Sequence, residues 1–350
     1  MHASLTVDVS GDPPEDWADL ARRRGSFYHD PAWLVALRDT FRFRLHCVSA
    51  RAGAPLAGLL ALMEVPRLAG APRLVSLPFS YAAGPLADDG AAAEALLETA
   101  GALAQEKRFH RLEIKTREPV GPPPDRFQRV LRYHTYRIPL TGGEDGVWQG
   151  LHADSTRRSI KKGWREGATV QRAETEESWT EMALVNERTA HRHGTPAPPR
   201  RFFVEACRAL QRLGRADLYL ARGPNAGLLG GIVLYKAAAE WIYAFGASDP
   251  SATPYRPSHL LIWRAIQDAI AAGIPVFDLG RASPDQAGLV EFKLRWGAQP
   301  IPLAYDYWPR AGGLHAEARD QGSLALAARL WRMLPAPLAR AGSAFYRYLG

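Results

Sequence analysis

The sequence has 350 residues, a net charge of +8, a pI near 9.6 and a hydrophobic fraction of 47%. This composition is typical of a folded globular protein and excludes a largely disordered chain. The positive charge favours an anionic partner such as a phosphate compound, a nucleic acid or a membrane surface, although an arginine-rich composition gives the same charge without such a partner.

Targeting and redox signals are not apparent in the sequence. The N-terminal segment "MHASLTVDVSGDPPEDW" is acidic and has no apolar core, so we expect no secretory signal. No window approaches the roughly 18 apolar residues of a membrane-spanning helix. The two cysteines, Cys47 and Cys207, are far apart and form no metal or redox motif. We therefore expect a cytoplasmic protein that uses no metal.

The first predicted elements are strands at "FRLHCVSA" and "PLAGLLALMEV", joined by a turn at Gly53 to Pro55. A strand at "RLVSLPF" and a loop at "SYAAGPLADDG" follow, and then come a helix from about Ala91 to Lys107 and a strand at "RLEIKT". Three helical segments are predicted next, at "TRRSIKKGWREG", "TEESWTEMALVNERTAHRHG" and "RRFFVEACRALQRLG".

The same order of elements then returns. Strands are predicted at "ADLYLAR", "GLLGGIVLYK" and "EWIYAFGAS", followed by the loop "DPSATPYRP", the helix "SHLLIWRAIQDAIAAG" and the strand "PVFDLG". A repeat of about 170 residues indicates two copies of one α/β domain. We predict an α/β fold with mixed sheets, formed by a domain at residues 1–140, a helical insert at 141–213, a second domain at 214–310 and an amphipathic tail at 311–350.

The insert contains a one-sided basic segment. Its cations lie at i, i+1, i+4, i+5 and i+8, so they share one helix face: Arg157, Arg158, Lys161, Lys162 and Arg165. Because no acidic residue is interleaved, these charges repel one another unless an anion is present. We therefore predict that Arg158 and Lys162 bind phosphate, from a nucleic-acid backbone or a lipid-linked diphosphate; a solvated basic face is the alternative.

Six motifs follow one another along the chain: "SLPFSYAAGPLADD", "RRSIKKGWREGATV", "HGTPAPPRRFF", "RPSHLLIWRAI", "FDLGRASPDQAGLVEFKLRWGAQPIPLAY" and "LWRMLPAPLARAG". Together with the repeat, they resemble the FemAB family of aminoacyl transferases, which are built from tandem GNAT-like acyltransferase domains. The closer resemblance is to the FemAB-like proteins of polysaccharide and exosortase systems. It implies tandem GNAT-like domains that transfer an acyl group from an ester or thioester donor to an amine.

The resemblance indicates site residues in the segment "FDLGRASPDQAGLVEFKLRWG". Lys293 matches the family lysine that is tied to the transfer centre and to substrate phosphates. Arg281 follows a glycine that permits close backbone approach, and its guanidinium suits phosphate or carboxylate. Asp278 either orients Arg281 or acts as a base, and a simple ion pair is the alternative. For Lys293 and Arg295 the alternative is extension to solvent from an element edge.

Further candidates lie where GNAT-like domains place the donor, between two diverging parallel strands and at the start of the next helix. On the strand "EWIYAFGAS" we expect Tyr243 to contact substrate. Ser258 either binds phosphate or caps the helix, and His259 is either a proton acceptor near neutral pH or a surface residue.

The donor is left open by the sequence. The pyrophosphate motif of CoA enzymes has one match, "QRLGRA", at the end of a helix and before a strand, which is the wrong context. We therefore slightly favour aminoacyl-tRNA over acyl-CoA or an acyl carrier protein as the acyl donor. The acceptor is a cell-wall or polysaccharide precursor, a lipid-linked amine or a small amine. A non-catalytic glycan- or nucleic-acid-binding module is the alternative, and we expect no binding to double-stranded DNA.

The C-terminal segment "SLALAARLWRMLPAPLARAGSAFYRYL" combines apolar residues at helical spacing with arginines. Such a segment can lie on the inner face of an anionic membrane, where a lipid-linked acceptor is found. Docking on the protein's own core is the alternative, and Pro335 and Pro337 interrupt any long helix.

Overall fold

The structure is a computed structural model that describes residues 5–309 and 328–350. Its strands are β1 Leu5–Ser10, β2 Leu45–Ala52, β3 Leu56–Val65, β4 Arg73–Val75, β5 Leu86–Ala87, β6 Arg111–Thr116, β7 Gln128–Pro139, β8 Thr169–Ala173, β9 Ala216–Arg222, β10 Leu228–Lys236, β11 Trp241–Ser248, β12 Val276–Ala282 and β13 Gln299–Trp308.

The helices begin with α1 Trp17–Arg24, α2 Pro31–Phe41, α3 Gly90–Glu106, α4 Gly143–Gly150, α5 Arg158–Arg165 and α6 Glu176–His193. They continue with α7 Arg208–Arg212, α8 Pro257–Ala271, α9 Ala287–Leu294, α10 at residues 328–333 and α11 Ala336–Ala341. Tight 3₁₀ turns lie at Phe27–His29, Pro250–Tyr255 and Gly342–Leu349, and π-helical turns precede α5 and α7, at Ala153–Arg157 and Phe202–Cys207.

The chain forms two compact units. Of the described residues, the first unit contains 5–133, 302–309 and 347–350, and the second contains 134–301 and 328–346. Each unit has strands, a parallel strand pair and a helix that connects the members of that pair. The predicted α/β fold with two tandem domains is confirmed.

The first unit has the sheet order β1-β2-β3-β4-β6-β13, with β5 beside β3. Strands β4 and β6 are parallel, with Arg73 opposite Arg111, whereas β1–β2, β2–β3, β3–β4 and β6–β13 are antiparallel. Helix α3 connects the parallel pair and is capped by Asp89, whose side chain accepts a hydrogen bond from Ala92 N at 2.8 Å. Because side chains alternate along a strand, Leu112 and Ile114 pack in the core with α3.

The second unit has the sheet order β7-β12-β11-β10-β9-β8. Strands β11 and β12 are parallel and are connected by α8, whereas β7–β12, β11–β10, β10–β9 and β9–β8 are antiparallel. The apolar period of α8 buries Leu261, Trp263 and Ile266 against Phe277 of β12.

The helices of the predicted insert, residues 141–213, lie within the second unit. Helix α6 packs directly on β10, since a Cβ atom at Gly231 would lie 2.9 Å from Sδ of Met182. Trp179 of α6 donates its indole N–H to Gln211 of α7 at 2.9 Å. The boundaries between the four predicted segments stay a prediction, and part of the predicted tail lies outside the described residues.

Most predicted elements are found near their predicted positions. The sequence pattern missed β1, β5, β7, β8 and β13, and β7 alternates charged and apolar residues only weakly. In residues 5–309 and 328–350, no helix is long and apolar enough to cross a membrane. The same residues contain no group of three or more metal-binding side chains.

Candidate functional site

Strands β11 and β12 diverge within the second unit. They pair at Trp241 opposite Phe277 and at Ile242 opposite Asp278, and both strands continue beyond these pairs, to Ser248 and Ala282. Two β-bulges accompany the divergence. One gives β11 an extra residue between Tyr243 and Phe245 relative to β10, and the other gives β12 an extra residue between Asp278 and Arg281 relative to β7. A bulge bends its strand and leaves one residue outside the ladder.

Lys293 of α9 reaches the bulge of β12. Its Nζ donates hydrogen bonds to the carbonyl oxygens of Gly280 at 2.6 Å and Arg281 at 3.0 Å, and it lies 5.3 Å from the ring centre of Tyr136. Only 5% of Lys293 is exposed. Burial lowers the pKa of Lys293 to about 8, which Asp278 partly opposes and Arg281 reinforces. The ammonium group therefore stabilises two backbone carbonyls at the bulge of β12.

Asp278 holds the same bulge from the other side. Its Oδ1 accepts hydrogen bonds from the Thr135 hydroxyl at 2.5 Å and from Gly280 N at 2.7 Å. Gly280 has φ +79°, a conformation that favours glycine, so this residue type and the two charged side chains together define the bulge. Asp278 and Lys293 thus lie at the same bulge. Their side chains are occupied by hydrogen bonds within the protein, which indicates a positioning role.

His259 lies in an aromatic cluster in the first turn of α8. Its ring stacks on Trp296 at 5.9 Å and meets the edge of Phe292 at 5.6 Å. Burial, reinforced by the charge of Arg256, lowers the pKa of His259 to about 4. The imidazole is therefore neutral at physiological pH and is a weak base there, whereas the predicted role of proton acceptor near neutral pH needs a pKa closer to neutrality.

The start of α8 differs from the predicted cap. The helix begins at Pro257, and the capping position is Arg256 in the left-handed conformation (φ +52°) with no side-chain cap; Ser258 is the second helical residue. The predicted capping role of Ser258 is therefore wrong, because Pro257 fixes the first helical position. Tyr243 lies on the bulged part of β11, with its phenol oxygen close to Gly246, and burial raises its pKa to about 12.

The basic helix α5 packs against the start of α8. A Cβ atom at Gly163 would lie 2.6 Å from the carbonyl oxygen of Tyr255 and 2.8 Å from Cδ1 of Leu260, so glycine permits this close approach. The preceding π-helical turn is tied to the end of α9, because Thr156 Oγ1 and His152 N each donate to the carbonyl oxygen of Arg295 at 2.9 Å. Helices α5, α8 and α9 therefore converge at one place.

A groove of about 500 Å³ opens on α5, and every side chain that lines it except one is basic. Its lining consists of Ala153, Arg157, Arg158, Lys161, Lys162 and Arg165. Within residues 5–309 and 328–350, no carboxylate lies within ion-pair distance of these five cations. The predicted one-sided basic face is thus a concave surface without an internal counter-charge.

An aromatic stack leads from the core to this groove. Trp263 of α8 packs on Trp148 at 4.9 Å, and Trp148 stacks on Trp164 of α5 at 6.4 Å, with the two planes 16° apart. Trp164 is 50% exposed, and Lys161 Nζ lies 6.0 Å from the ring centre of Trp148. This stack was not predicted; its signal in the sequence is the tryptophan within "KKGWRE", a large apolar residue on a short basic helix.

The two remaining candidates lie on the surface. Arg281 is exposed at the end of β12, and its backbone carbonyl accepts from Lys293. Arg295 is exposed and pairs with Glu291 one turn earlier in α9. This agrees with the alternative that its side chain extends to solvent. The structure therefore brings Lys293, Asp278 and the backbone of Arg281 together at the β12 bulge.

Comparison with known proteins identifies the domain type. A family model described as an acetyltransferase (GNAT) domain matches residues 154–293, which include α5, the diverging strands, α8 and most of α9. No curated protein matches the chain in sequence.

Solved structures share the fold at low sequence identity. FemX is 16% identical, with 85% of this chain and 96% of FemX covered and a TM-score of 0.66. L-PGS from Bacillus licheniformis is 12% identical, with 93% and 98% covered and a TM-score of 0.58. A tandem GNAT protein from the clavulanic acid biosynthesis pathway, solved without AcCoA, is 15% identical, with 88% and 99% covered and a TM-score of 0.54.

These likenesses extend over nearly the whole of each solved structure, so both units are included. The matched family model covers the unit in which the candidate residues converge. The resemblance to FemAB-like proteins is confirmed in the fold: the chain shares its fold with FemX and with the tandem GNAT protein, and residues 154–293 match the model of an acetyltransferase (GNAT) domain.

Proposed function

We propose that the second unit is an N-acyltransferase that moves an acyl or aminoacyl group from a polyanionic donor to an amine. The observation that carries this proposal is the five-cation groove of α5, packed through Gly163 against the start of α8 beside the diverging strands. A polyanion in the groove lies next to the place where GNAT-fold enzymes expose an acyl group. Aminoacyl-tRNA is placed ahead of acyl-CoA or an acyl carrier protein because the groove has no carboxylate partner and the CoA pyrophosphate motif has no match in the right context.

The reaction needs a neutral amine that attacks the donor's carbonyl carbon. A C–N bond forms, the carbonyl oxygen carries negative charge in the tetrahedral intermediate, and the bond to the donor's ester oxygen or thioester sulfur then breaks. The amine proton leaves to solvent or to the departing oxygen or sulfur. Ala244, the extra residue of the β11 bulge, has backbone groups outside the ladder, and its N–H is the proposed donor to the oxyanion.

The charged candidates then have positioning roles. Lys293 and Asp278 fix the bulge of β12 and thereby the width of the gap between β11 and β12. The neutral His259 ring, with Trp296 and Phe292, forms an apolar wall close to α5 and α8. Low polarity near the reacting carbonyl strengthens the interaction between the oxyanion and a fixed N–H donor.

The acceptor is proposed only by chemical class. Amino sugars of cell-wall or polysaccharide precursors, lipid-linked amines and small amine metabolites all offer the required nucleophile. A mass-spectrometric search for acylated amines, with charged tRNA and acyl-CoA supplied in parallel, tests catalysis. Polyanion binding without any acylated product from either donor favours the non-catalytic binding module.

The donor is tested by binding as a function of salt. Each phosphate that a cation neutralises releases counterions, so affinity for bulk tRNA should fall steeply as salt rises. Replacing Arg158 and Lys162 by Gln should flatten the slope of log K against log salt by roughly 1.4 to 1.8. The control is the Arg22→Gln/Arg23→Gln variant, which removes two cations of α1 outside the groove and should leave the slope nearly unchanged.

The thioester alternative has its own signature. If an acyl-CoA raises the thermal midpoint and tRNA binding does not depend on salt, the donor is a thioester and not aminoacyl-tRNA. The acyl-transfer proposal itself survives that result. Stabilisation by acyl-CoA that is lost on changing Arg158 and Lys162 would place the CoA phosphates in the same groove.

A further inference from the structure

The described C-terminal segment, residues 328–350, is basic and contains no acidic residue. Residues 328–346 of this segment belong to the second unit. Trp331 packs on Gly342 so closely that a Cβ atom there would clash with its ring, and Ala339 is buried. His191 of α6 donates its Nε2–H to the carbonyl oxygen of Leu334 at 3.0 Å. One side of the segment is therefore docked on the protein itself, as the alternative to membrane binding describes.

The same segment also exposes several large apolar side chains to solvent. On α10, Leu330 and Met333 are three residues apart and so lie on the same side; they are 57% and 73% exposed. Leu338 of α11 and Phe345 of the following 3₁₀ turn are also exposed. Together these four residues are here named the C-terminal patch. Isolated exposed apolar residues are ordinary, but several large ones within so short a segment indicate an interaction surface.

Arginines accompany the C-terminal patch. Arg329 and Arg332 are exposed on α10 between its apolar residues. Arg340 of α11 is also exposed and lies 3.3 Å from Glu187 of α6. The partner that covers the patch must therefore accept apolar side chains and supply negative charge at the same time.

We infer that the C-terminal patch docks on an anionic lipid surface. The headgroups supply the negative charge, and the acyl-chain boundary accepts the apolar side chains of short helices that lie in the plane of the membrane. A second copy of the chain fits less well, because a two-fold interface through the patch would bring Arg329 and Arg332 near the same arginines of the other copy. This inference does not depend on the proposed acyl transfer.

The test is co-sedimentation of the full chain with vesicles of phosphatidylcholine alone and of phosphatidylcholine mixed with phosphatidylglycerol. We expect sedimentation with the mixed vesicles and little with the neutral ones. Changing Leu330, Met333 and Leu338 to Ser should lower the partition coefficient at least about tenfold. Changing Arg329 and Arg332 to Gln should remove most of the preference for anionic vesicles, also about tenfold or more.

The matched control replaces Leu68 and Leu213, exposed leucines outside the C-terminal segment, by Ser. This variant should sediment like the wild type, and the thermal midpoint of every variant should stay close to wild type because the altered side chains are exposed. Absence of wild-type binding, equal binding by all variants, or equal loss in the control would overturn the inference. It would also be overturned if light scattering showed that the leucine and methionine changes abolish a dimer and leave vesicle binding intact.

Discussion

The two units have the same arrangement of strand, loop, helix and parallel strand, yet their charged residues are arranged differently. In the first unit, β4, α3 and β6 form this arrangement, and in the second unit β11, α8 and β12 do so. Each places a lysine ammonium group on backbone carbonyls beside the parallel pair. Lys115 Nζ donates to the carbonyl of Leu77 at 3.2 Å, and Lys293 Nζ donates to that of Gly280 at 2.6 Å.

The difference lies in the counter-charges. In the first unit, the carboxylate of Glu113 lies 3.5 Å from Arg111 and 3.8 Å from Lys115, so its buried cations have a partner within the protein. In the second unit, the five cations of the α5 groove have no such partner in the described residues. Because an unbalanced cluster of cations favours an anion from outside, we expect ligand binding in the second unit. The fold is repeated, but the site is not.

The largest expected effect comes from removing the two buried lysines separately. Lys293→Met leaves the carbonyls of Gly280 and Arg281 without their donor, which should cost about 1–3 kcal/mol of stability and lower transfer by at least about a hundredfold through loss of the β12 bulge. Lys115→Met should destabilise the protein comparably and leave specific activity nearly unchanged. Turnover and thermal midpoint of both variants measure this. Equal loss of activity in the two variants would contradict a site confined to the second unit.

The next effect comes from the glycine between α5 and α8. An alanine at Gly163 brings its Cβ to within 2.6 Å of a backbone oxygen, so the helices must separate, with an expected loss of about 1–3 kcal/mol and weaker polyanion binding. Gly84→Ala is the counterpart in the first unit, because its Cβ would clash with the Thr116 hydroxyl. It should destabilise the protein without changing polyanion affinity. Denaturant unfolding and filter binding separate the two outcomes.

A smaller effect concerns pH and His259. Its folded pKa of about 4 lies below the ordinary value of 6.5, so between these values the unfolded chain binds a proton that the folded chain does not. The free energy of unfolding should therefore fall as pH is lowered from 6.5 to 4, by on the order of 2 kcal/mol from this residue. His259→Phe should reduce that dependence. An unchanged pH profile in the variant would show that the ring is not held neutral by burial.

The smallest effect is expected for Arg295. Its side chain is exposed and pairs with Glu291 along α9, and such surface pairs contribute about 0–1 kcal/mol. Arg295→Gln should therefore leave both the unfolding free energy and the salt dependence of tRNA binding close to wild type. If Arg295→Gln lowers the affinity for tRNA as much as the Arg158 and Lys162 changes do, Arg295 is part of the binding site.

The sequence by itself determined the repeat and most of the elements that form it. Apolar periodicity and turn residues indicated β2, β3, β9, β10, α3 and α8, because burial of one face imposes a period of two or 3.6 on the chain. The helical spacing of Arg158 and Lys162 likewise predicted a shared basic face. The motif around Lys293 indicated the tandem GNAT fold, which the solved structures confirm.

Only the tertiary structure decided what these residues contact. Lys293 is separated in sequence from Gly280 and Tyr136, and its direction depends on how α9 packs on β12 and β7. The low pKa of His259 arises mainly from burial, and the rings of Trp296 and Phe292 that pack on it are distant from it in sequence. Burial and hydrogen bonding depend on contacts between distant segments, and so sequence spacing can place a residue on a helix face but cannot decide what that face meets.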